Sequence, residues 1–496
     1  MSRIDPEVRS RNRGGRKLSV EVESGRRPKR GDSDRRLFDL AGTVFSPVRR
    51  VFDHPLADYG ILLGTTLVIQ ALGLVMVMSA STVYSLKNHD PSYLLFSRQL
   101  LFAIIGVVLM IVVSKLPISF FRGLAVPAMI VAGVLLLLVL VPKIGVEVNG
   151  QRNWISLGGP FRLQPSEIAK VALVIWVADL LARRHERVNG WRTLLLPLLP
   201  VSGIFVLLIL LEGDLGTCLV IMPIIAMMLL VAGAPLRLFG WLGGGVLGLI
   251  GVMSITIPYR LARFRTWLDP EQDPTGVGWQ VIHGQFALGT GGWWGVGLGA
   301  SREKWGFLPE AHTDFILAVI GEELGLVGTL SVLLLFAIVA VIMARIAIRS
   351  ENRFVMFATA GVGIWIISQA LINIGAVLGA LPITGLPLPL ISYGGSSLTF
   401  TLLAIGMVLA FARAQPRAAD HLAAHKASRP TKQAKAGRAR RTTSSRASTR
   451  SATSSGHSVT RKRAEQTDTQ GATGSSRRNR TPGQGRGDRS SSRRKS

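Results

Sequence analysis

The fold of this chain is decided by apolar runs, the first of which reads GILLGTTLVIQALGLVMVMSASTV at 60–83 and contains no charged side chain. A helix needs about 20 residues to cross the hydrocarbon core of a bilayer. Backbone polar groups cannot stay unpaired in lipid, so each such run is predicted to be helical. We therefore predict an all-α polytopic membrane protein with ten spans, at 60–83, 99–117, 122–142, 165–183, 193–211, 214–233, 238–258, 314–343, 354–378 and 391–412.

Composition excludes a single soluble enzyme. Hydrophobic residues make up 48% of the 496 residues and charged residues only 17%, whereas soluble chains carry about 25% charged residues. The net charge of +28 is concentrated at the ends, with +6 in 1–53 and +18 in 413–496, which leaves +4 for the membrane domain at 54–412. The basic tail has almost no large apolar side chains, so it is predicted to be disordered. Cys218 is the only cysteine, which excludes a disulfide-stapled secreted protein.

The distribution of positive charge orients the spans. With the N-terminus inside, the short inner loops carry ten Lys and Arg residues and the short outer connections carry five, as the positive-inside rule requires. An even number of spans returns the C-terminus to the inside, so both basic ends face the anionic inner leaflet. One large outer loop, 259–313, then lies between spans seven and eight. Long ordered loops are more often functional than structural.

Ionisable side chains within membrane spans are costly, so they are functional candidates. Glu167 and Lys170 lie in the first turns of span four, in LQPSEIAK (163–170), and their spacing puts them on one helix face. An ion pair at a helix start and a functional pair are equally consistent with this pattern. Glu212 and Asp214 lie in the outer turn between spans five and six, where a capped helix start is the favoured interpretation.

The outer loop is rich in charge. Its segment PYRLARFRTWLDPEQDPTGVGWQ (258–280) places Arg260 and Arg263 before Asp273, which precedes a proline. Asp before Pro often only opens a turn, but Arg side chains suit phosphate groups, and a carboxylate suits proton abstraction from a hydroxyl. The glycine-rich GTGGWWGVGLG (289–299) lacks the ending of a P-loop and is predicted to be a tight turn or a close packing contact.

Two further outer segments flank the last spans. LPEAHTDF (308–315) leads into span eight, where Thr313 and Asp314 are candidate helix caps. The proline-rich stretch 375–395 cannot continue a helix, so it is predicted to be irregular and either buried in protein or lining a cavity. The residues alone thus indicate a membrane protein that handles a phosphorylated, lipid-linked substrate at the outer face. They leave open whether that substrate is moved or reacted.

The segment NIGAVLGALPITGLPLPLISYGGSS (373–397) resembles the signature of the shape, elongation, division and sporulation family of peptidoglycan polymerases, the FtsW/RodA group. Segments at 149–170, 273–280 and 308–325 fit the same family in the same order, and the resemblance covers roughly 57–412. It implies ten transmembrane helices with both termini cytoplasmic. It also implies an activity, the polymerisation of lipid II into β-1,4 glycan strands with release of undecaprenyl diphosphate.

The resemblance further implies the catalytic residues. Asp273 matches the essential carboxylate of the family and is expected to be the general base, with a role as metal ligand also open. Glu167 and Lys170 match the QPSE-x-x-K segment, where Lys170 suits the diphosphate and Glu167 would orient Lys170 or help to hold a cation. Where relatives have proline in the turn between spans five and six, this chain has Gly213.

Substrate-binding candidates and cofactors follow from the same resemblance. Charge that develops on the leaving diphosphate needs cations, supplied either by Arg and Lys side chains or by a divalent cation, Mg²⁺ or Mn²⁺, and no organic cofactor is expected. The remaining candidate substrate-binding residues are Trp154, Arg260, Arg263, Gln280, His312, Ser396 and Ser397.

The long basic tails favour a division enzyme in a bacterial cytoplasmic membrane, at the septum, over the elongation branch of the family. Expected partners are a class B penicillin-binding protein and other divisome proteins. The tail at 413–496 is predicted to bind a cytoskeletal division scaffold or, as the simpler reading, anionic lipid. A lipid II transporter remains the alternative activity, although transporters place their key charges near the midplane and this sequence has few there.

Overall fold

The computed structural model describes residues 54–87, 91, 93–148, 151–158, 161–184, 191–256, 265–272, 276–305 and 307–428. Three candidate site residues, Arg260, Arg263 and Asp273, lie outside these ranges, as do the segment 1–53 and the tail beyond 428.

Helices make up most of the described chain. Their bounds are α1 (Ala57–Lys87), α2 (Leu94–Val113), α3 (Ile118–Leu140), α4 (Pro165–Arg184), α5 (Trp191–Leu211), α6 (Leu215–Val231), α7 (Leu236–Thr256), α8 (Val277–Gly291), α9 (Ile316–Arg349), α10 (Arg353–Val377), α11 (Gly395–Ala414) and α12 (Pro416–Ser428). A helix lies at each predicted span, namely α1 to α7 and α9 to α11. Among the described residues, seven of these helices are long and apolar enough to cross a membrane.

The helices differ in how far they are buried. Helices α2 and α3 expose large apolar side chains such as Ile104 and Ile130, and a surface of this kind suits contact with lipid rather than water. Helices α4 and α11 are buried along most of their length. Because α4 is also the helix that carries Glu167 and Lys170, these two ionisable residues are enclosed by protein.

The prediction of an all-α fold is wrong in one place. A three-stranded antiparallel sheet is formed by β1 (Gly145–Val148), β2 (Gln151–Ser156) and β3 (Arg162–Leu163), in that order. Val146 pairs with Trp154 in its register, and β-branched and aromatic residues favour a pleated surface. These strands are too short to be detected by a search for membrane-spanning runs.

The outer loop contains helix α8, which the sequence did not predict and whose 15 residues are too few to cross a bilayer. The glycine-rich segment after α8 packs on a kink in α9 at Gly325, where φ is 67° and ψ is −163°. A Cβ on Gly295 would lie 2.2 Å from the carbonyl oxygen of Glu323. The predicted close packing of this segment is therefore confirmed.

The segment between α10 and α11 is irregular and packed, as predicted. Leu386, Leu388 and Ile391 are buried, and Gly385 has a φ of 74°, which glycine adopts without strain. Because the prolines keep this segment non-helical, helix α11 begins only at Gly395 rather than at 391.

The predicted boundary of the disordered tail is wrong for its first residues. Helix α12, with the sequence PRAADHLAAHKAS, occupies Pro416–Ser428. Alanine is the strongest helix former, and proline is well tolerated at the first helical position. Ala418 is fully buried, so this helix packs against the membrane domain.

Candidate functional site

The centre of the candidate site is a buried ion pair at the start of α4. The Nζ atom of Lys170 lies 3.0 Å from Oε1 and 2.9 Å from Oε2 of Glu167. Lys170 is fully buried, and Glu167 is almost so. The sequence left open whether these residues pair, and the structure shows that they do.

Two side chains of α10 complete the surroundings of Lys170. Its Nζ donates to Oε1 of Gln369 at 3.2 Å and lies 4.8 Å from the ring centroid of Trp365. The amide of Gln369 also donates to the carbonyl oxygen of Pro387 at 2.9 Å. The ammonium group is thereby connected to the irregular segment that carries the family signature.

Asp214 caps helix α6 and links it to α4. Its Oδ1 accepts a hydrogen bond from the backbone of Thr217 at 2.9 Å, and its Oδ2 accepts from the hydroxyl of Thr217 at 2.7 Å. Oδ2 also accepts from Gln164 at 3.1 Å and from Ser166 at 3.2 Å. The predicted capping role is confirmed, and the contacts with Gln164 and Ser166 join this turn to the start of the helix that carries Lys170.

The neighbouring Glu212 has a different environment. Its side chain is 1% exposed, and neither carboxyl oxygen hydrogen-bonds to another described residue. Burial, together with the negative charge of Asp214, raises the pKa of Glu212 to about 9, so this carboxyl is protonated at neutral pH. Gly213 has a φ of 85°, which glycine adopts without strain and proline cannot adopt.

His312 lies where the segment before α9 meets the segment before α11. The backbone N–H of Tyr393 donates to the carbonyl oxygen of His312 at 2.9 Å, and the two rings are 5.6 Å apart. Burial lowers the pKa of His312, and the nearby Glu310 opposes this effect. His312 is thus neutral near pH 7, which suits hydrogen bonding better than charge pairing.

Asn373 joins the same two segments from α10. Its Nδ2 donates to the carbonyl oxygens of Asp314 and Leu386, both at 2.8 Å. The prediction that Thr313 or Asp314 caps α9 is wrong, because the capping position is Phe315 and no side chain caps it. The hydroxyl of Thr313 donates to Glu310 instead.

The other predicted substrate-binding residues lie on separate elements. Trp154 is half-buried on β2, and Gln280 is half-buried on α8. Ser396 and Ser397 are buried at the start of α11, and the Ser396 hydroxyl has no hydrogen-bond partner among the described residues. Within the described ranges, no hydrogen bond joins these four side chains to the Lys170 centre.

A second buried charge cluster was missed by the sequence reasoning. The Nζ atom of Lys304 donates to Glu323 Oε1 at 2.7 Å, to Ser79 Oγ at 2.9 Å and to the Gly299 carbonyl at 2.8 Å. Glu322, which precedes Glu323 in the chain, accepts a hydrogen bond from the backbone N–H of Arg302 at 2.7 Å. Two consecutive glutamates inside predicted span eight were the signal that could have revealed this cluster.

These features define a class, a polytopic membrane protein with ion pairs buried among its helices. The chain belongs to the FtsW, RodA and SpoVE family, whose description is "cell cycle protein" and whose pattern matches residues 60–416.

Named relatives and solved structures agree with this membership. The chain is 40% identical over 371 residues to the probable peptidoglycan glycosyltransferase FtsW of Mycobacterium tuberculosis (strain ATCC 25618 / H37Rv), covering 75% of this chain and 71% of the relative. It is 39% identical over 350 residues to stage V sporulation protein E of Bacillus subtilis (strain 168), covering 70% of this chain and 95% of the relative.

Two solved structures share the fold. One comes from work on the structural coordination of polymerization and crosslinking by a peptidoglycan synthase complex, with a TM-score of 0.59 and 32% identity over 72% of this chain and 97% of that chain. The other is the rod shape determining protein RodA of Thermus thermophilus, with a TM-score of 0.53 and 30% identity over 72% of this chain and 96% of that chain.

Proposed function

We propose that this chain is a peptidoglycan glycosyltransferase that polymerises lipid II into β-1,4 glycan strands during cell division. The observation that carries this proposal is the buried Lys170–Glu167 pair, held by Gln369 next to the family signature segment. An ion pair enclosed within membrane-spanning helices is costly, so it is retained where function requires it. Relatives named as peptidoglycan glycosyltransferases support the same activity.

The proposed topology has ten membrane spans with both termini in the cytoplasm. Helices α1 to α7 and α9 to α11 supply the spans, and the excess of Lys and Arg in the short inner loops supports the orientation. The start of α4, the turn at 212–214 and the segment 379–394 then face the cell-wall side, where lipid II is polymerised. The division septum is the proposed location.

The proposed reaction is a single displacement. Asp273 accepts the proton of the acceptor 4-hydroxyl, the hydroxyl oxygen bonds to the anomeric carbon of the donor, and the bond from that carbon to the diphosphate oxygen breaks. Attack from the opposite face converts the α-linked donor into a β-1,4 product. Negative charge then develops on undecaprenyl diphosphate, and preorganised positive groups lower the energy of that state.

Lys170 is the proposed source of this positive potential. Its ammonium group is positioned by Glu167 and Gln369 near the N-terminus of α4, where the helix dipole adds further positive potential. Burial strengthens both effects, because the surrounding dielectric is low. Glu167 is therefore proposed to orient Lys170 rather than to exchange protons with substrate.

A divalent cation, Mg²⁺ or Mn²⁺, remains a proposal. In the described part of the chain, no three His, Cys, Asp or Glu side chains are grouped as ion ligands. Glu167 is engaged by Lys170, and Asp214 accepts four hydrogen bonds. Glu167 and Asp214 therefore do not fit a cation, and Asp273, the proposed metal ligand, lies outside the described residues. The steps proposed here use only the side chains of the chain itself.

The proposed partner is a class B penicillin-binding protein, which would crosslink the new strand. The solved relative from a peptidoglycan synthase complex that couples polymerization and crosslinking supports such a partnership. Other divisome proteins are further proposed partners. A cytoskeletal division scaffold and anionic lipid are proposed ligands of the basic tail, whose +18 net charge supports them.

The transporter alternative is less well supported by the position of the charges. Lys170 and Glu167 lie at the first turns of α4 rather than halfway along it, whereas transporters place substrate sites near the midplane. The elongation branch also has structural relatives, since RodA shares the fold.

The decisive experiment measures glycan polymer from purified lipid II with the wild type and the Asp273→Asn variant, each bound to its penicillin-binding partner. Polymer from the wild type and none from the folded variant would support the proposal. Polymer from both would remove Asp273 from the mechanism. No polymer from either, with the partner bound, would favour the transporter.

A further inference from the structure

A second polar and aromatic site lies on helix α8, apart from the Lys170 centre. We call it the α8 aromatic cluster and define it as Trp279, His283, Phe286 and Phe307. The ring of His283 lies 4.0 Å from that of Trp279, 5.8 Å from the nearly parallel ring of Phe307 and 5.7 Å from Phe286, which meets it edge-on.

Hydrogen bonds hold this cluster in one arrangement. The Nδ1 atom of His283 lies 2.6 Å from Oε2 of Glu303, which fixes the orientation of the imidazole ring. The indole N–H of Trp279 donates to the carbonyl oxygen of Phe307 and so ties α8 to the segment before α9. Within the described part of the chain, the Nε2 atom of His283 makes no hydrogen bond, and 13% of the His283 side chain is exposed.

Two of the four rings in the cluster are exposed, whereas Trp279 is half-buried and His283 is mostly covered. Phe286 is 56% exposed and Phe307 is 50% exposed, although rigid aromatic rings gain most from being covered. An exposed group of this kind indicates a binding surface.

The sequence after α8 differs in charge between the stretch next to the membrane and the stretch around the aromatic cluster. The stretch 287–300 contains no charged residue and carries the exposed Trp293 and Trp294, as is typical of a membrane interface. The stretch 301–310, SREKWGFLPE, contains four charged residues around Phe307. Of these four residues, Lys304 is buried and Glu303 is paired with His283, whereas Arg302 and Glu310 are exposed. These two exposed charges near Phe307 favour water over lipid, so the α8 aromatic cluster is best suited to a water-soluble ligand.

The chemistry of the cluster fits a carbohydrate chain. Binding sites combine apolar and aromatic walls with a few placed polar groups. The C–H faces of pyranose rings pack against aromatic rings, while sugar hydroxyls can exchange hydrogen bonds with His283 and Glu303. Neutral aromatic walls also suit the uncharged amino-sugar backbone of a glycan better than a diphosphate.

The position of α8 connects this surface with the reaction. Helix α8 begins at Val277, four residues after Asp273. Its Gly284 packs against the ring of Phe315 at the start of α9. A strand extended at Asp273 would therefore leave the reacting atoms close to α8.

We propose that the α8 aromatic cluster binds the growing glycan strand and keeps it on the enzyme between additions. This inference rests on the proposed polymerase function. The strand is the occupant because it is the one water-soluble, sugar-rich product made next to this helix.

The test compares strand lengths made by the wild type and the Phe286→Ala/Phe307→Ala variant, each with its bound penicillin-binding partner. The expected result is that mean strand length falls about fivefold more than the initial rate of lipid II consumption, because a weak stacking contact is lost. Trp241→Ala, at an exposed position on α7, is the matched control and should leave both values unchanged.

A second arm does not depend on polymerisation. Fluorescence anisotropy would measure binding of a labelled β-1,4-linked N-acetylglucosamine tetramer to the wild type, to the double variant and to His283→Gln. Saturable binding by the wild type that both variants weaken supports the inference, even if lipid II polymerisation fails for another reason.

Three outcomes would overturn the inference. The first is unchanged strand length in a folded double variant. The second is equal tetramer binding by the wild type and both variants, or no saturable binding at all. The third is loss of the penicillin-binding partner from the double variant, which would assign the aromatic surface to protein contact instead.

Discussion

Two buried lysine–glutamate pairs in this protein have different surroundings. The ammonium group of Lys304 donates hydrogen bonds to three acceptors, namely Glu323, Ser79 and the carbonyl oxygen of Gly299. Lys170 lies within 3.2 Å of both carboxylate oxygens of Glu167 and of the amide oxygen of Gln369, and 4.8 Å from the ring centroid of Trp365.

This difference indicates different roles. An ammonium group has three donors, so Lys304 is saturated by protein and acts as a strap between α1, α9 and the outer loop. Lys170 also contacts three oxygen atoms, but its partner Gln369 connects it through the carbonyl of Pro387 to the signature segment, beside which the proposed chemistry takes place. We therefore expect Lys304 to stabilise the fold and Lys170 to stabilise negative charge in the reaction.

The sharpest test of this contrast is the double variant Lys170→Met/Glu167→Gln, which removes the pair without leaving an unpaired buried charge. We expect glycan polymerisation to fall at least about 100-fold in folded protein, since loss of one preorganised group has this effect on charge-stabilised reactions. Polymer yield per folded molecule, with folding checked by size-exclusion chromatography, measures the effect. Near wild-type activity would reduce this pair to a structural role.

The Lys304 strap is expected to fail in stability rather than in chemistry. Lys304→Met leaves Glu323 buried without its cation, and loss of one partner of such a pair costs about 3–5 kcal/mol. Thermal unfolding in detergent should show a large destabilisation, which Lys304→Met/Glu323→Gln partly restores. If the Lys304→Met/Glu323→Gln variant folds but makes no polymer, Lys304 is needed for the reaction as well as for stability, and the proposed difference from Lys170 is wrong.

Glu212 predicts a dependence of stability on pH. Its pKa rises from 4.5 in the unfolded chain to about 9 in the folded protein, so the folded state binds the proton more tightly. The stabilisation that tighter proton binding gives the folded state is fully present below pH 4.5 and is lost as pH rises towards 9. The free energy of unfolding falls over this range with a slope of at most about 1.4 kcal/mol per pH unit.

The Glu212→Gln variant should remove this slope and become more stable than the wild type at pH 8. Unfolding free energies between pH 5 and 9 measure the difference, with Glu351→Gln at an exposed position as the control. An unchanged slope in Glu212→Gln would contradict the assignment.

The smallest effect is expected at the Asp214 cap. Asp214→Ala should cost about 1 kcal/mol for the lost cap and about 1 kcal/mol more for the bonds from Gln164 and Ser166. Asn352→Ala removes a cap from α10 that accepts from Phe354 alone, so it isolates the first contribution. Equal melting shifts for the two variants would show that the link to α4 contributes nothing.

Membrane spans and family membership could be read from the sequence because both are local. An apolar run of about 20 residues has to form a helix in lipid whatever surrounds it, and motif residues keep their spacing. The pairing of Glu167 with Lys170 was accessible for the same reason, since both lie on one helix. Helix α8 and the short sheet were not accessible, because neither has a pattern that requires it in isolation.

The partners of the buried polar groups were decided by tertiary structure alone. Gln369 lies 199 residues from Lys170, and Ser79 lies 225 residues from Lys304. A buried charge requires partners because its desolvation is costly, but that requirement does not say which distant helix supplies them. The sequence by itself determined that costly groups are buried in this protein, and packing of the helices decided which distant side chains and carbonyl groups meet them.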